Sequence, residues 1–472
     1  MEAGSKLPVG WMQLPIAGII EKPSLSGIKL KQSDYQQKGL LPVIDQGQNF
    51  IGGFTDNEEL KVQCQLPVVV FGDHTKVFKY VDFDFVAGAD GIKVLKPLDI
   101  FYPKLFYYFL QAVKLPNKGY ARHFQFLEKS NIPVPPLHEQ LRIIDRIEEL
   151  FSRLDAGVQA LLKAKAQLRS YRQSVLKAAV EGRLTEEWRK THPEVEPAEK
   201  LLKRIEEKRH CNKKRSNEVQ DYDLLDMPKL PDTWIWASIE QVSDLITDGD
   251  HNPPKRTAIG IPHLTAKNIK NWRISEDGCT YINEANFEIV KKRYNPLFND
   301  VIITCVGTVG RTAIVPEGYV FSADRNLAAV RLVPNGMDPR FLQYNLNTLA
   351  AQEAILSASG STAQPHFYLG DIRAFPIALA PKEEQQKIIS EIEHRFLIIS
   401  EIEVQLYANI KDSAFLRQSI LKHAFEGRLV PQDPNDEPAS MLLERIKAEM
   451  AGQISMKSKR NRADTHQMRL IQ

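Results

Sequence analysis

Few groupings in this sequence have the residue types and spacing that bond-making chemistry requires. Asn252-Pro253-Pro254-Lys255 comes within one residue of the Asn/Asp-Pro-Pro-aromatic loop, whose polar side chain and proline carbonyl hold an adenine amino group while the aromatic ring stacks the flipped base. Lys255 stands where that ring is needed. The glycine-aromatic run that could hold a methyl donor, Phe50-Ile51-Gly52-Gly53-Phe54, lies in a different part of the chain and lacks a strand-to-helix nucleotide fingerprint. Pro231-Asp232 opens the pattern of a Mg²⁺ nuclease, but no Asp/Glu-x-Lys follows it within roughly 35 residues. A nucleotide-driven motor needs a Gly-Lys dipeptide to cradle phosphates, and the sequence has none. Gly307-Thr308-Val309-Gly310-Arg311-Thr312 imitates such a loop loosely and reads better as a tight turn between strands. Of the 11 histidines, His74, His123 and His366 sit in polar contexts, and none has a second histidine at metal-ligand spacing. No catalytic set and no metal site is expected, so the chain is expected to bind something.

Composition narrows the class. At 472 residues, two to four domains are expected. Hydrophobic residues at 43% and charged residues at 26% exclude global disorder. The net charge of +3 does not by itself announce a nucleic-acid binder, because local clustering of cations matters more than the sum. Trp11 to Ile20 is broken by Pro15 and no 18-residue apolar run occurs, so neither a signal peptide nor a membrane span is read. Cys64, Cys211, Cys279 and Cys305 lie far apart without C-x-x-C pairing, which points to a reducing cytoplasm.

The elements that position any binding residues come in two copies. Glu139-Gln140 is echoed by Glu384-Gln385, Phe151 by Phe396, Arg172-Gln173-Ser174 by Arg417-Gln418-Ser419, and Glu181-Gly182-Arg183-Leu184 by Glu426-Gly427-Arg428-Leu429, all at an offset of 245. Lys6-Leu7-Pro8 and Trp11 are echoed by Lys229-Leu230-Pro231 and Trp234 at an offset of 223. Trp11 to Glu139 spans 128 positions and Trp234 to Glu384 spans 150, so the variable part is the middle of each half. Such a period is a duplicated module with pseudo-twofold symmetry, far too long for a solenoid unit.

After Glu139 an apolar seam at alternating three- and four-residue steps (Ile144, Ile147, Phe151, Leu154, Val158, Leu161, Leu168) is broken by Lys165. It predicts a helix over about 138–182, roughly 60 Å long. The copy, over about 383–428, keeps Ile389, Ile392, Phe396, Ile399, Leu406, Ile410 and Ile420. A helix of that length overhangs a domain whose radius of gyration is roughly 14 Å, so the two are expected to pair as an antiparallel coiled coil. Residues 183–228 read as a charged linker with a short exposed helix at Lys200 to Lys208, and 429–472 as a tail with a short helix and a basic end. Short apolar runs at Leu41 to Ile44, Val68 to Phe71, Val77 to Phe85 and Ile92 to Leu95 predict strands in the first middle. Val301 to Val306, Thr312 to Val315, Tyr319 to Ser322 and Ala328 to Val333 predict strands in the second, followed by a helix over Pro339 to Leu356. The fold class is α+β, with domains at 1–137 and 229–382 each followed by a long helix. Two different heads on a rigid helical pair form a caliper suited to two unlike DNA half-sites.

Pro-Pro-Leu-x-Glu-Gln at Pro135 to Gln140, its echo Ala380-Pro381-Lys382-Glu383-Glu384-Gln385, the Glu-Gly-Arg-Leu helix ends and the Leu-Pro-x-x-Trp module starts resemble the specificity subunit of a type I restriction-modification system, in order along nearly the whole chain. The resemblance implies two target recognition domains reading a bipartite asymmetric site in double-stranded DNA. It implies paired helices that set the half-site separation, and a cytoplasmic complex with two methyltransferase and two restriction/translocase subunits. S-adenosylmethionine, ATP and Mg²⁺ would serve those partners and would not bind this chain. The second helix entry departs from the first in carrying Lys382-Glu383 where the first has Leu137-His138. A pure coiled-coil scaffold would not need divergent polar heads, whereas the specificity subunit of a related fused restriction system would look the same.

Major-groove reading favours Arg, Lys, Asn and Gln on turns of a rigid scaffold. In the first head this selects Gln46, Gln48, His74, Thr75, Lys76, Tyr120, Arg122 and His123. In the second it selects Asn252, Lys255, Arg256, Lys267, Asn268, Arg311, Ser361, Thr362, Gln364 and His366.

Overall fold

The computed structural model describes residues 7–88, 91–116, 119, 121–209, 227–252, 254–360 and 365–449. It divides into two compact units. One joins the residues up to Leu162 with those from Tyr407 onward, and the other runs from Lys163 to Leu406. Among the described residues no helix is long and apolar enough to cross a membrane.

In the first unit an antiparallel sheet runs in the order Ile20–Glu21, Ile92–Pro97, Val68–Gly72, Phe78–Val81. A second sheet orders Lys29–Leu30, Val86–Gly88, Leu41–Ile44 and Gly53–Thr55, its first three strands parallel. Val68–Gly72 is apolar throughout because both of its faces are covered. Alternate side chains serve two cores: Val69 and Phe71 pack with Phe106 and Phe109, and Val68 and Val70 with Ile44 and Phe85. The run from Val77 to Phe85 is not one strand. It breaks after Val81, and Val86–Gly88 enters the other sheet.

The second unit repeats the scheme. Its antiparallel sheet orders Ser243–Asp248, Leu327–Leu332, Val301–Thr304 and Thr312–Ile314. Val301 and Ile303 serve one core and Ile302 the other. Beside it lie Thr280–Ile282, Ile261–Leu264 and Ser322–Ala323, and a separate hairpin, Ile269–Lys270 with Arg273–Ile274. The helix expected over Pro339 to Leu356 is two, Pro339–Leu346 and Leu349–Ala358, because Thr348 caps the second through its hydroxyl, which accepts from the Ala351 N–H.

Both long helices are present, Leu137–Val180 and Lys382–Phe425. Each is 44 residues, about 66 Å at 1.5 Å per residue. They pair antiparallel within each unit. In the first unit Phe151 and Leu154 share a cluster with Ile420, Leu421 and Phe425, and the Arg417 guanidinium lies 4.1 Å over the Phe151 ring while pairing with Asp155 at 2.5 Å. In the second unit Arg172 lies 5.1 Å over Phe396 and pairs with Glu403 at 3.4 Å. The repeated Arg and Phe thus form the same cation–π contact twice.

The repeated entry motif closes each module onto its helix. A two-stranded ladder pairs Met12–Pro15 with Asn131–Val134, and its counterpart pairs Ile235–Ser238 with Pro376–Leu379. The Trp11 indole N–H donates to Glu139 at 2.9 Å, and that of Trp234 to Glu384 at 2.8 Å. Gln140 donates to the Ile100 and Pro135 carbonyls and accepts from the Tyr102 N–H, while Gln385 donates to Ala380 and accepts from Asp338. Gly182 and Gly427 end the helices at φ +71° and +69°, and a Cβ there would also strike Pro231 or Pro8 at 2.4 and 2.3 Å.

The segment after the first long helix is more than a charged linker. Ala198–Lys208 is an amphipathic helix whose Ala198, Leu201 and Ile205 are buried in the second unit's core, so the helix expected to be exposed packs through one apolar stripe. Ala439 and Leu442, in the helix over 439–449, do the same in the first unit. The basic stretches Lys213 to Arg215 and Lys457 to Arg462 lie outside the described residues.

Candidate DNA interface

In the first head the loops carrying the candidate residues meet around Asp73. The Asp73 carboxylate accepts from the Phe124 N–H at 2.7 Å, its carbonyl from the His123 N–H at 2.9 Å, and its N–H donates to the Gly91 carbonyl at 2.6 Å. The Thr75 hydroxyl donates to the Gln46 carbonyl at 2.6 Å, and the His74 N–H to Gln46 Oε1 at 3.4 Å. Gln46, His74 and Thr75 therefore share one surface, with exposed Gln48 on the same loop as Gln46 and exposed Arg122 next to His123. Lys76 occupies the turn at φ +59°. His123 is 0% exposed, with Nδ1 3.0 Å from the Asp73 carbonyl, so it braces the loop from inside, contrary to its selection as a DNA contact. Tyr120 lies outside the described residues.

Sequence reasoning passed over the residue that shapes this surface. Lys79 is 3% exposed, and its ammonium donates to the Asp45 carbonyl at 2.8 Å and the Asn49 carbonyl at 2.6 Å, drawing the loop with Gln46 and Gln48 around itself. Burial lowers its pKa, and the Asp45 carboxylate, 3.4 Å away, opposes that shift. The one signal in the sequence was a lysine at an inward-facing position of Phe78–Val81.

In the second head four loops meet at the strand ends. The loop that carries Asn252, Lys255 and Arg256 is pinned by the Asp250 N–H to the Ala323 carbonyl at 2.9 Å and by the Arg325 N–H to the Asp250 carbonyl at 3.1 Å. Gly249 permits this approach, since a Cβ there would stand 2.2 Å from the Ala323 oxygen. The turn at Asp324 to Asn326 meets Cys305, whose N–H donates to the Asn326 carbonyl at 2.8 Å, and the Cys305 carbonyl accepts from the Phe367 N–H at 2.8 Å. Gly307 to Arg311 is the tight turn between Val301–Thr304 and Thr312–Ile314, with Gly307 and Gly310 at φ +78° and +80°. Its Gly307 N–H donates to the Pro365 carbonyl at 3.2 Å, next to His366, which stacks on exposed Tyr368 at 4.1 Å.

Asn252, Lys255, Lys267 and Arg311 are exposed and Arg256 half-buried. Asn268 is buried at 2%, and its amide is spent on Thr265 and the Ser275 carbonyl, so its place is in the scaffold and the DNA role selected for it is corrected. Ser361, Thr362 and Gln364 lie outside the described residues. Arg325 and Arg293 went unselected. Arg325 was legible as the centre of a polar Asp-Arg-Asn run between two apolar strands, whereas Arg293 reaches Asp248 across 45 residues. Burial would raise the Asp248 carboxyl, but hydrogen bonds from Arg293 and His251 hold it below its ordinary range. Behind the loop, burial and the nearby Arg256 push His263 down to about 4.

Comparison with known families fits this arrangement. The family described as "Type I restriction modification DNA specificity domain" matches residues 8–164 and 251–412, more than half the chain. The chain belongs to the type I restriction-modification specificity subunits. Its relatives include the EcoBI specificity subunit of Escherichia coli, 27% identical over 71% of this chain and 68% of that one. The EcoKI specificity subunit of Escherichia coli K12 is 22% identical over 98% and 100%. The fold is shared with the specificity subunit of Thermoanaerobacter tengcongensis, at a TM-score of 0.50 and 18% identity over 90% of this chain and 99% of that one. It is also shared with a chain from a structure of type I complex assembly and conformational transition, at a TM-score of 0.56, 17% identity and the same coverage. As a specificity subunit the chain is the non-catalytic part of the complex and directs it to its target site.

Proposed function

We propose that this specificity subunit reads a bipartite, asymmetric site in double-stranded DNA, with residues 1–137 forming one reading domain and 229–382 the other. The observation that carries this is a repeated frame bearing unrepeated loop side chains. Trp–Glu anchors, helix entries and Arg–Phe contacts recur. So do the backbone bonds that hold the loops, those of Asp73 with Gly91 and His123 returning as those of Cys305 with Asn326 and Phe367. The side chains on the loops differ, Gln46, His74 and Lys76 in one head against Asn252, Lys255 and Arg311 in the other. Two unlike readers on like mounts suit two unlike half-sites. Gln46, Gln48, His74, Thr75, Lys76 and Arg122 are the contacts proposed in the first domain, with Asn252, Lys255, Arg256, Lys267, Arg311, Arg325 and His366 in the second. The subunit works within a complex of two methyltransferase and two restriction/translocase subunits, which use S-adenosylmethionine, ATP and Mg²⁺.

Modified-base sequencing of DNA methylated by the assembled complex tests this reading. One motif with two different specified halves and an unspecified spacer is expected. Exchanging residues 10–137 for another head should change one half and leave the other. A change in both halves together would refute independent reading.

A further inference from the structure

The hairpin Ile269–Lys270 with Arg273–Ile274 is closed by two residues, Asn271 and Trp272, both in the left-handed region at φ +49° and +64°. That turn ordinarily takes Asn-Gly, since a glycine meets no Cβ penalty at the second position. Trp272 is thus a bulky residue in a strained backbone, a state that persists only when its surroundings hold it there. The surroundings here are one of the long helices, through Phe396, and the head's own helix Pro339–Leu346, through Gln343 and Tyr344. The Trp272 ring lies 5.7 Å from the Phe396 ring and 6.1 Å from that of Tyr344, and Phe396 carries the Arg172 guanidinium of the opposing helix. The Trp272 carbonyl accepts from Gln343 at 3.2 Å. At its other end the hairpin is fixed in the head, with Ile269 fully buried and its carbonyl facing Arg311 Nη1 at 3.4 Å.

A continuous path therefore runs from the paired helices, through Trp272 and the hairpin, to a proposed reading residue. The first head repeats the Tyr–Phe–Arg stack as Tyr108, Phe151 and Arg417, but the rings that extend it, Tyr107 and Tyr80, sit on a helix and a strand.

We propose that Trp272 is a positioning residue that fixes how the second head is held on its helices, and thereby which spacer between the half-sites the complex accepts. This rests on the bipartite reading above. The test uses the assembled methyltransferase complex and DNA carrying both half-sites, with spacers one base pair shorter than, equal to and one longer than the wild-type spacer. Trp272→Gly relieves the backbone strain while removing the ring. It should keep both half-site sequences and reduce discrimination between the correct spacer and its neighbours by about 5-fold or more. Trp272→Phe, which keeps an aromatic ring, should restore most of it. Discrimination within about 2-fold of wild type in a complex that still methylates would overturn the proposal. So would altered base preference in the second half-site, because the hairpin would then be reading and not positioning. Should Trp272→Gly fail to assemble, Trp272→Leu, which fills the volume without stacking, decides between the same outcomes. A wild-type complex with no bipartite preference would instead refute the underlying reading.

Discussion

Single side chains decide how firmly each module is closed. Glu384, 1% exposed, accepts from the Trp234 indole, the Thr185 hydroxyl and the Arg189 guanidinium. Trp234→Phe retains the apolar surface but leaves one lobe of a buried carboxylate without its donor. A loss of about 1–3 kcal/mol in the second unit is expected, read by denaturant unfolding; a loss below about 0.5 kcal/mol would show that water replaces the indole. His263 supplies a pH dependence. Its folded pKa, about 4, lies below the ordinary 6.5, so the unfolded chain takes up a proton first as the pH falls. Stability should be full above pH 6.5 and decline toward pH 4, and His263→Gln should flatten that part of a melting-temperature profile. These roles were only partly legible. Trp11 and Trp234 stood out by recurring, but that their partners are Glu139 and Glu384 depends on folding across 128 and 150 positions. His123 and Asn268 looked like exposed loop chemistry because sequence does not show which side of a loop faces inward.

The long helices were the most legible elements, since an apolar seam sustained over many turns has few other interpretations. Less legible was the head helix expected over Pro339 to Leu356, which is interrupted at Asn347 and Thr348, where a local side-chain cap overrides an apolar run. The same applies to Ala198–Lys208. Its apolar stripe was visible at Ala198, Leu201 and Ile205, but the core that receives it comes from distant residues such as Trp234 and Ile239. Under the proposed function the helices act by length. Seven residues inserted near Ala164 add about 10 Å of rise and keep the seam nearly in phase. The unspecified spacer should then lengthen by up to about three base pairs while both half-site sequences stay fixed. Methylation motif mapping checks this, and an unchanged spacer from an active complex would mean the helices are not the ruler.

At the scale of the molecule, the duplicated modules do not coincide with the two compact units. One unit is continuous from Lys163 to Leu406, whereas the other combines the chain's beginning with everything from Tyr407 onward. Its core needs both ends: Leu421, Ala424, Phe425, Ala439 and Leu442 pack with Trp11, Phe109 and Ile147, and the Ala439 N–H donates to the Gly10 carbonyl at 2.9 Å. The internal repeat revealed two heads and two helices, but not that each helix end would seal the start of the other module. That exchange sets the order in which the units can be completed. The unit that begins at the ribosome first is the one completed last, and its apolar faces wait while the continuous unit, made later, is already whole. A chain ended at Leu406 should therefore keep a folded second head and lose the first, the half whose own sequence is untouched, and limited proteolysis followed by mass spectrometry would show which survives.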